Sequence, residues 1–284
     1  MYELILGDRH DTEYKAAMNA LMKSVFGFTF DRWYGQDLWD YRYECYSMIH
    51  DGRIISNVSI TKMTVLVEGR RVGAIQLGAV ATLPEYRGHG LARRIIEHVL
   101  DKYRGTPAFL FANETVLGFY PKFGFEQVNE VQPYLRLSHP LHGEGSIKLP
   151  IDSPILAKHV GNRRHFSAVL DVLDAESINW FHILMEFRDD VYYIPQLDTV
   201  VIATGENHTV MIYDVLGEVD VPLAEILRCL PFQGYHTIQF AFTPDFLGCD
   251  YKIERLSRGG ISGHLFCRGL DLKGDFKFPH MATT

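Results

Sequence analysis

The chain has 284 residues, 47% of them apolar and 22% charged, with a formal net charge of −7 at pH 7. That balance belongs to a globular chain of one large or two ordinary domains with a sizeable core, and it excludes a disordered one. The acidic excess argues against nucleic acid as a partner, and no apolar run reaches the roughly 18 residues of a membrane span. The four cysteines, Cys45, Cys229, Cys249 and Cys267, lie far apart with no CxxC or Cys/His ligand spacing, as free thiols of a reducing cytoplasm do. No metal site is expected. Residues 1–8 lack a basic segment followed by a long apolar one, so no signal peptide is expected and the expected location is cytoplasmic.

Residues 12–25 carry apolar groups at helical spacing, and Phe26-Gly27-Phe28 ends that helix. A short second helix is expected over residues 31–38. Residues 43–49, 53–67 and 72–82 read as three strands of a meander, turned at Asp51-Gly52 and at Glu68-Gly69. The third strand is almost wholly apolar and is expected at the centre of a sheet. Residues 91–103 show a helical stripe of Leu91, Ile95, Ile96, Val99 and Leu100, ended by Gly105-Thr106-Pro107. A strand over 108–112, a helix over 113–123 weakened by Gly118 and Pro121, and a strand or bent hairpin over 125–137 follow. Strands on either side of a helix imply a mixed sheet with one parallel pair.

Residues 138–150, with two Pro, two Gly and two His, read as a linker. Beyond it, a helix is expected over 171–186 and strands over 191–194, 199–203, 209–215 and 236–242. A short helix is expected over 221–230, with further short strands or an ordered arm after Gly248.

The most informative stretch is residues 80–94, Val-Ala-Thr-Leu-Pro-Glu-Tyr-Arg-Gly-His-Gly-Leu-Ala-Arg-Arg. It reads as strand, glycine turn, helix start. Amides at a helix start have no partner inside the helix and carry the positive end of its dipole, so the turn is an anion site suited to a phosphate or pyrophosphate. Gly88 and Gly90 lack a Cβ and allow close approach to the backbone. There is no G-x-G-x-x-G, so a dinucleotide fingerprint is not the explanation.

Arg87, Gly90 and Ala92 form R-x-x-G-x-A. Asn113 follows the next strand, Tyr120 sits seven residues later, and Gly124-Phe125 closes the unit. With these residues, 1–137 resembles the GCN5-related N-acetyltransferases, the GNAT family. The resemblance implies an α/β (α+β) GNAT fold around a mixed central sheet and acetyl-CoA as acyl donor. It implies that the amides of Arg87, Gly88, His89, Gly90, Leu91, Ala92 and Arg93 hold the pyrophosphate. The backbone of Val80, Ala81 and Thr82 would pair with the pantetheine arm like an added strand, which requires the central strand to splay from its parallel neighbour. Tyr120 occupies the family's proton-donor position, against the alternative of a core tyrosine with a satisfied hydroxyl. Asn113 either orients the cofactor or caps a helix. Arg94 reads as a solvated helix residue.

A primary amine, with a pKa of about 10.4, must lose a proton before it attacks a thioester. A backbone N–H near Val80 would steady the oxyanion, and the leaving thiolate needs a donor. No carboxylate occurs in residues 75–79, and Glu85 and Glu114 read as turn and helix-start charges, which leaves water-mediated deprotonation. None of the thirteen histidines has a motif partner.

The whole chain is similar to the Eis-like (enhanced intracellular survival) tandem acetyltransferases. That similarity implies a catalytic domain over 1–140, a linker over 141–150 and a smaller, degenerate GNAT-like α+β domain over 151–284. The second domain would wall the acceptor site. Trp180, Phe181, Tyr192 and Tyr193 are either lining or core. The expected acceptor is a small amine of unstated identity, and homo-oligomer formation is left open. The alternatives are a non-catalytic acyl-CoA-binding or regulatory module and a protein N-acetyltransferase.

Overall fold

The computed structural model describes residues 2–217, 221–256 and 259–284. The meander begins one strand earlier than the periodicity shows: β1 (Glu3–Leu6) pairs antiparallel with β2 (Tyr43–His50). Four residues are too few to show a period. β3 (Arg53–Val67) and β4 (Arg70–Thr82) continue the antiparallel order. The turns fall where expected because Asp51-Gly52 and Glu68-Gly69 both hold positive φ at the two central residues (48° and 74°, 47° and 74°), as tight hairpins require.

Helix α1 (Thr12–Phe26) starts at Asp11, whose side chain accepts from the amides of Glu13 and Tyr14, and ends at Gly27 with φ of 81°. A short α2 (Asp31–Gly35) follows. Helix α3 (Leu91–Lys102) buries the expected stripe, Leu91, Ile95, Ile96 and Val99, against the sheet. It leads to β5 (Ala108–Ala112), parallel to β4.

The helix expected over 113–123 is absent. Two 3₁₀ turns, Glu114–Val116 and Tyr120–Phe123, stand in its place. Pro121 has no N–H to continue an α-helix, and Gly118 lowers the helical preference further. The strand expected over 125–137 splits into β6 (Glu126–Val128) and β7 (Val131–Arg136), which belong to different sheets. The chain crosses from the first sheet to the second at residues 129–130.

The second sheet holds β8 (Ile147–Lys148), β10 (Val191–Ile194), β11 (Thr199–Glu206), β12 (Thr209–Gly217), β13 (Thr237–Phe240) and β14 (Lys252–Arg255), with β7 between β13 and β14. Only β12 and β13 are parallel within it. Helices α4 (Pro154–Gly161), α5 (Glu176–Met185) and α6 (Leu223–Leu227) complete this part. The helix expected over 171–186 begins instead with a strand, β9 (Leu170–Leu173), and a break at Asp174 with φ of 60°. A short apolar run fits either period, and tertiary pairing decides it.

Two late strands return to the first sheet. β9 pairs with the far end of β3, and β15 (His264–Arg268) lies between β5 and β6, antiparallel to both. Sheet membership therefore does not follow a division at 140–151. Nor do residues 141–150 hang free: the amides of Leu141, Glu144, Ser146 and Leu149 bond to Tyr235, Arg228, Cys229 and Val191. Among the described residues no helix is long and apolar enough to cross a membrane.

Arg163 ties the two sheets together. Its Nη2 lies 3.2 Å from Asp171 of β9 and its Nε 2.6 Å from Asp214 of β12, with all three side chains at least nine-tenths buried. Arg163→Ala leaves two carboxylates buried without their cation, and is expected to cost about 3–5 kcal/mol in urea unfolding. A loss within the range of about 0–1 kcal/mol seen for surface pairs would mean that this contact does not brace the sheets.

Candidate functional site

β4 and β5 pair only at Ile75–Ala108, Gln76–Phe109 and Leu77–Leu110. Beyond Leu77 they part. The cause is a bulge in β4, where the register with β3 slips between Asn57 and Ser59. Ala79 takes the left-handed conformation there, with φ of 45°, which costs a residue with a Cβ about 1 kcal/mol or more. A buried polar chain holds it. The Asn57 amide donates to Ala79 O (3.0 Å) and Ser59 Oγ (3.0 Å), Ser47 Oγ donates to Asn57 Oδ1 (2.9 Å), and the Tyr14 hydroxyl meets Ser47 Oγ at 2.7 Å. Past the bulge, the β5-facing edge of Val80, Ala81 and Thr82 has no strand partner among the described residues.

That edge runs into the glycine turn. A 3₁₀ turn, Pro84–Tyr86, precedes Gly88 and Gly90, whose φ values are 82° and 72°. Gly90 is the N-cap of α3 and offers no side chain to cap it. Among the described residues nothing hydrogen-bonds the amides of Gly88, His89, Gly90, Leu91, Ala92 and Arg93. A Cβ on Gly88 or Gly90 would meet open space, so the concavity is empty of protein. Arg87 turns back to Thr82 O (3.3 Å), and Arg93 lies over the Phe123 ring at 5.5 Å. Arg94 is exposed, as expected.

Tyr120 is 5% exposed, with its ring against Phe119, Phe125 and Phe266. Among the described residues no protein group hydrogen-bonds its hydroxyl. Burial pushes its pKa up to about 12. Asn113 caps the first 3₁₀ turn, accepting from Thr115 N (3.1 Å). A cavity of about 430 Å³ opens beside it, lined by Phe111, Asn113, Glu114 and the loop 259–264.

Residues 9–128 match the family model of the acetyltransferase (GNAT) domain. This segment is a GNAT acetyltransferase domain. Acetyl-CoA is the acyl donor of that family. Solved structures share the fold over nearly the whole chain. A probable N-acyltransferase from Enterococcus faecalis V583 is 16% identical, with 94% of this chain and 72% of that one covered at a TM-score of 0.62. Eis1 from Mycobacterium abscessus is 16% identical, with 94% and 73% covered at a TM-score of 0.61. A GCN5-related N-acetyltransferase from Anabaena variabilis is 11% identical, with 95% and 73% covered at a TM-score of 0.55. No curated protein matches by sequence.

The GNAT domain is completed by residues that carry no local motif. Residues 279–284 run against β4. The amide of Gln76, oriented so that both its groups are satisfied, donates to Ala282 O (3.0 Å) and accepts from Thr284 N (2.9 Å). Asn179 donates to Met281 O (2.7 Å), and His182 Nε2 lies 2.8 Å from Thr283 O. A Cβ on Gly78 would collide with Thr284. No spacing in the sequence could have joined Gln76, Asn179 and His182, because the contact is made only in the folded chain. Of the four aromatics singled out, Phe181 reaches the GNAT core, 6.0 Å from Phe28 and 5.8 Å from Phe30. Trp180 and Tyr192 are core of the second part, and Tyr193 bonds Asp198.

Glu44 of β2 holds the end of α3 to the sheet, bonding Lys62 (2.5 Å), Lys102 (3.3 Å), Tyr103 (2.7 Å) and Tyr46. Burial alone would raise its pKa. The hydrogen bonds from Lys62, Tyr46 and Tyr103 outweigh burial and bring it to about 2. A depressed carboxyl contributes stability that is full above its unfolded pKa of about 4.3 and is lost as pH falls toward the folded value. Unfolding free energy measured against pH should therefore fall on acidification through that window. Glu44→Gln should flatten this part of the profile, and an unaltered profile would count against the role.

Proposed function

We propose that the GNAT domain moves an acetyl group from acetyl-CoA to a primary amine of a small acceptor by direct attack. The observation that carries this reading is Tyr120, a buried residue whose hydroxyl has no protein hydrogen-bond partner among the described residues, at the position of the family's proton donor. A hydroxyl with a pKa near 12 is protonated at neutral pH and can donate to the leaving thiolate, whose own pKa is about 8.5. The proton that the attacking nitrogen sheds then restores the tyrosine, so the exchange balances.

The other roles follow the same geometry. The free amides from Gly88 to Arg93 suit the pyrophosphate, with Arg87 and Arg93 adding charge. The unpaired edge of Val80, Ala81 and Thr82 suits the pantetheine amides, and an N–H near Val80 suits the oxyanion. Asn113 supports the turn at the mouth of the slot. Water takes the first proton, which the ammonium must lose before it attacks, since residues 75–79 supply no carboxylate; the second, shed after attack, is the one that returns to Tyr120. Residues 279–284 narrow the space over Gln76 and Gly78, which favours a small amine over a protein segment. The acidic chain suits a cationic acceptor.

Tyr120→Phe should lower kcat by about 10²–10⁴-fold while the dissociation constant for acetyl-CoA holds steady. Gly90→Val should abolish acetyl-CoA binding in calorimetry with the circular dichroism spectrum retained, because a side chain at φ of 72° would also stand in the amide cradle. The lack of a carboxylate on residues 75–79 favours a second reading, a module that binds acyl-CoA without turnover. Absence of CoA release across a panel of amines, with Tyr120→Phe indistinguishable from the parent, would decide for it.

A further inference from the structure

The spacing of histidines and cysteines gives no metal set, yet folding brings one together. His182 and Glu186, one turn apart at the end of α5, meet His280 from the last segment. One ligand atom from each lies within 4.8 Å of the others. His182 Nδ1 is 2.9 Å from Glu186 Oε1, and His280 Nε2 is 3.1 Å from Glu186 Oε2. The two imidazoles are buried, at 5% and 9% side-chain exposure, while Glu186 is 43% exposed.

The remaining ring nitrogens are already engaged. His182 Nε2 lies 2.8 Å from Thr283 O, and His280 Nδ1 lies 2.8 Å from Ser262 Oγ. A carbonyl only accepts, so Nε2 of His182 carries the hydrogen. The lone pair of Nδ1 then points at a carboxylate oxygen, and the contact is favourable only with a positive centre between them, either a proton or a metal ion. Outer hydrogen bonds that fix the far nitrogen of each imidazole are the arrangement found around metal-ligating histidines.

The geometry points to a site for a zinc-class divalent cation, held by His182 Nδ1, His280 Nε2 and the Glu186 carboxylate. Two imidazoles and one carboxylate form a donor set that zinc accepts, and three protein ligands leave the fourth position to water. Glu186 gives that position its access to solvent. The ion would join α5 to residues 279–284, the segment that lies over Gln76 and Gly78. Its binding would fix how that segment closes on β4.

The test uses the full chain after chelator treatment and dialysis, titrated with zinc chloride by calorimetry and with cobalt(II) in the visible range. The expected result is one ion per chain, visible bands of four-coordinate cobalt, and a rise in melting temperature with zinc. His280→Ala and Glu186→Gln should weaken binding by more than the roughly 10–100-fold that loss of an outer partner costs. Glu186→Gln keeps its shape at a partly exposed position, so its effect is readable even where His182→Ala does not fold. His208→Ala, at the stacked His208–His236 pair, should bind as the parent does. No saturable binding, or equal affinity in the parent and Glu186→Gln, would reduce the cluster to an ion pair. These readouts do not depend on turnover, so failure here leaves the acetyl-transfer reading standing.

Discussion

β5 is held on one side by only three residue pairs, because β4 leaves it at Leu77. A strand so weakly joined to the sheet needs its other edge secured, since open strand edges leave main-chain groups unpaired. β15 does this. It pairs with β5 along its full length, from His264–Ala112 to Arg268–Ala108, and with β6 beyond. Phe266 of the same strand sits 5.9 Å from the Tyr120 ring. The slot between β4 and β5 and the placement of Tyr120 thus both depend on a strand contributed by the far end of the chain.

Buried polar contacts then fix how the parts sit. Asn57, Ser47 and Tyr14 hold the bulge from beneath, Arg163 spans the two sheets, and Lys277 bonds Glu130 at 3.0 Å where the chain passes between them. Such groups are costly to bury and contribute little net stability against apolar side chains of the same size. Their geometry is directional, so they specify one arrangement where apolar packing alone would tolerate several. The apolar clusters supply the bulk of the stabilisation on either side of these contacts.

What was legible in the sequence was local. The meander with its Asp51-Gly52 turn, the stripe of α3, the glycine turn and the Asn113–Tyr120–Gly124 spacing are all written in neighbouring residues. The apolar spacing around Tyr120 looks helical, yet the segment forms 3₁₀ turns because Pro121 acts on hydrogen bonding. β9 falls where a helix is expected, and the sheets that β7 and β15 join carry no local signal, because short strands choose their sheet by partners far away in the chain. Gln76 and His182 carry no signal at all in one dimension. Each gains its meaning from the main chain of residues 282–284 laid beside it.

The placement of β15 also governs when this molecule can become itself. The glycine turn and Tyr120 are synthesised long before residues 264–268, and β5 and β6 wait for those residues to fill the space between them. Pairing across so long a separation is slow, and the emerging first half would present two strand edges to its surroundings in the meantime. The first sheet thus cannot be completed before β15 has been made. A nascent chain cut short before β15 would own every residue of the signature and still lack the strand that sets its slot.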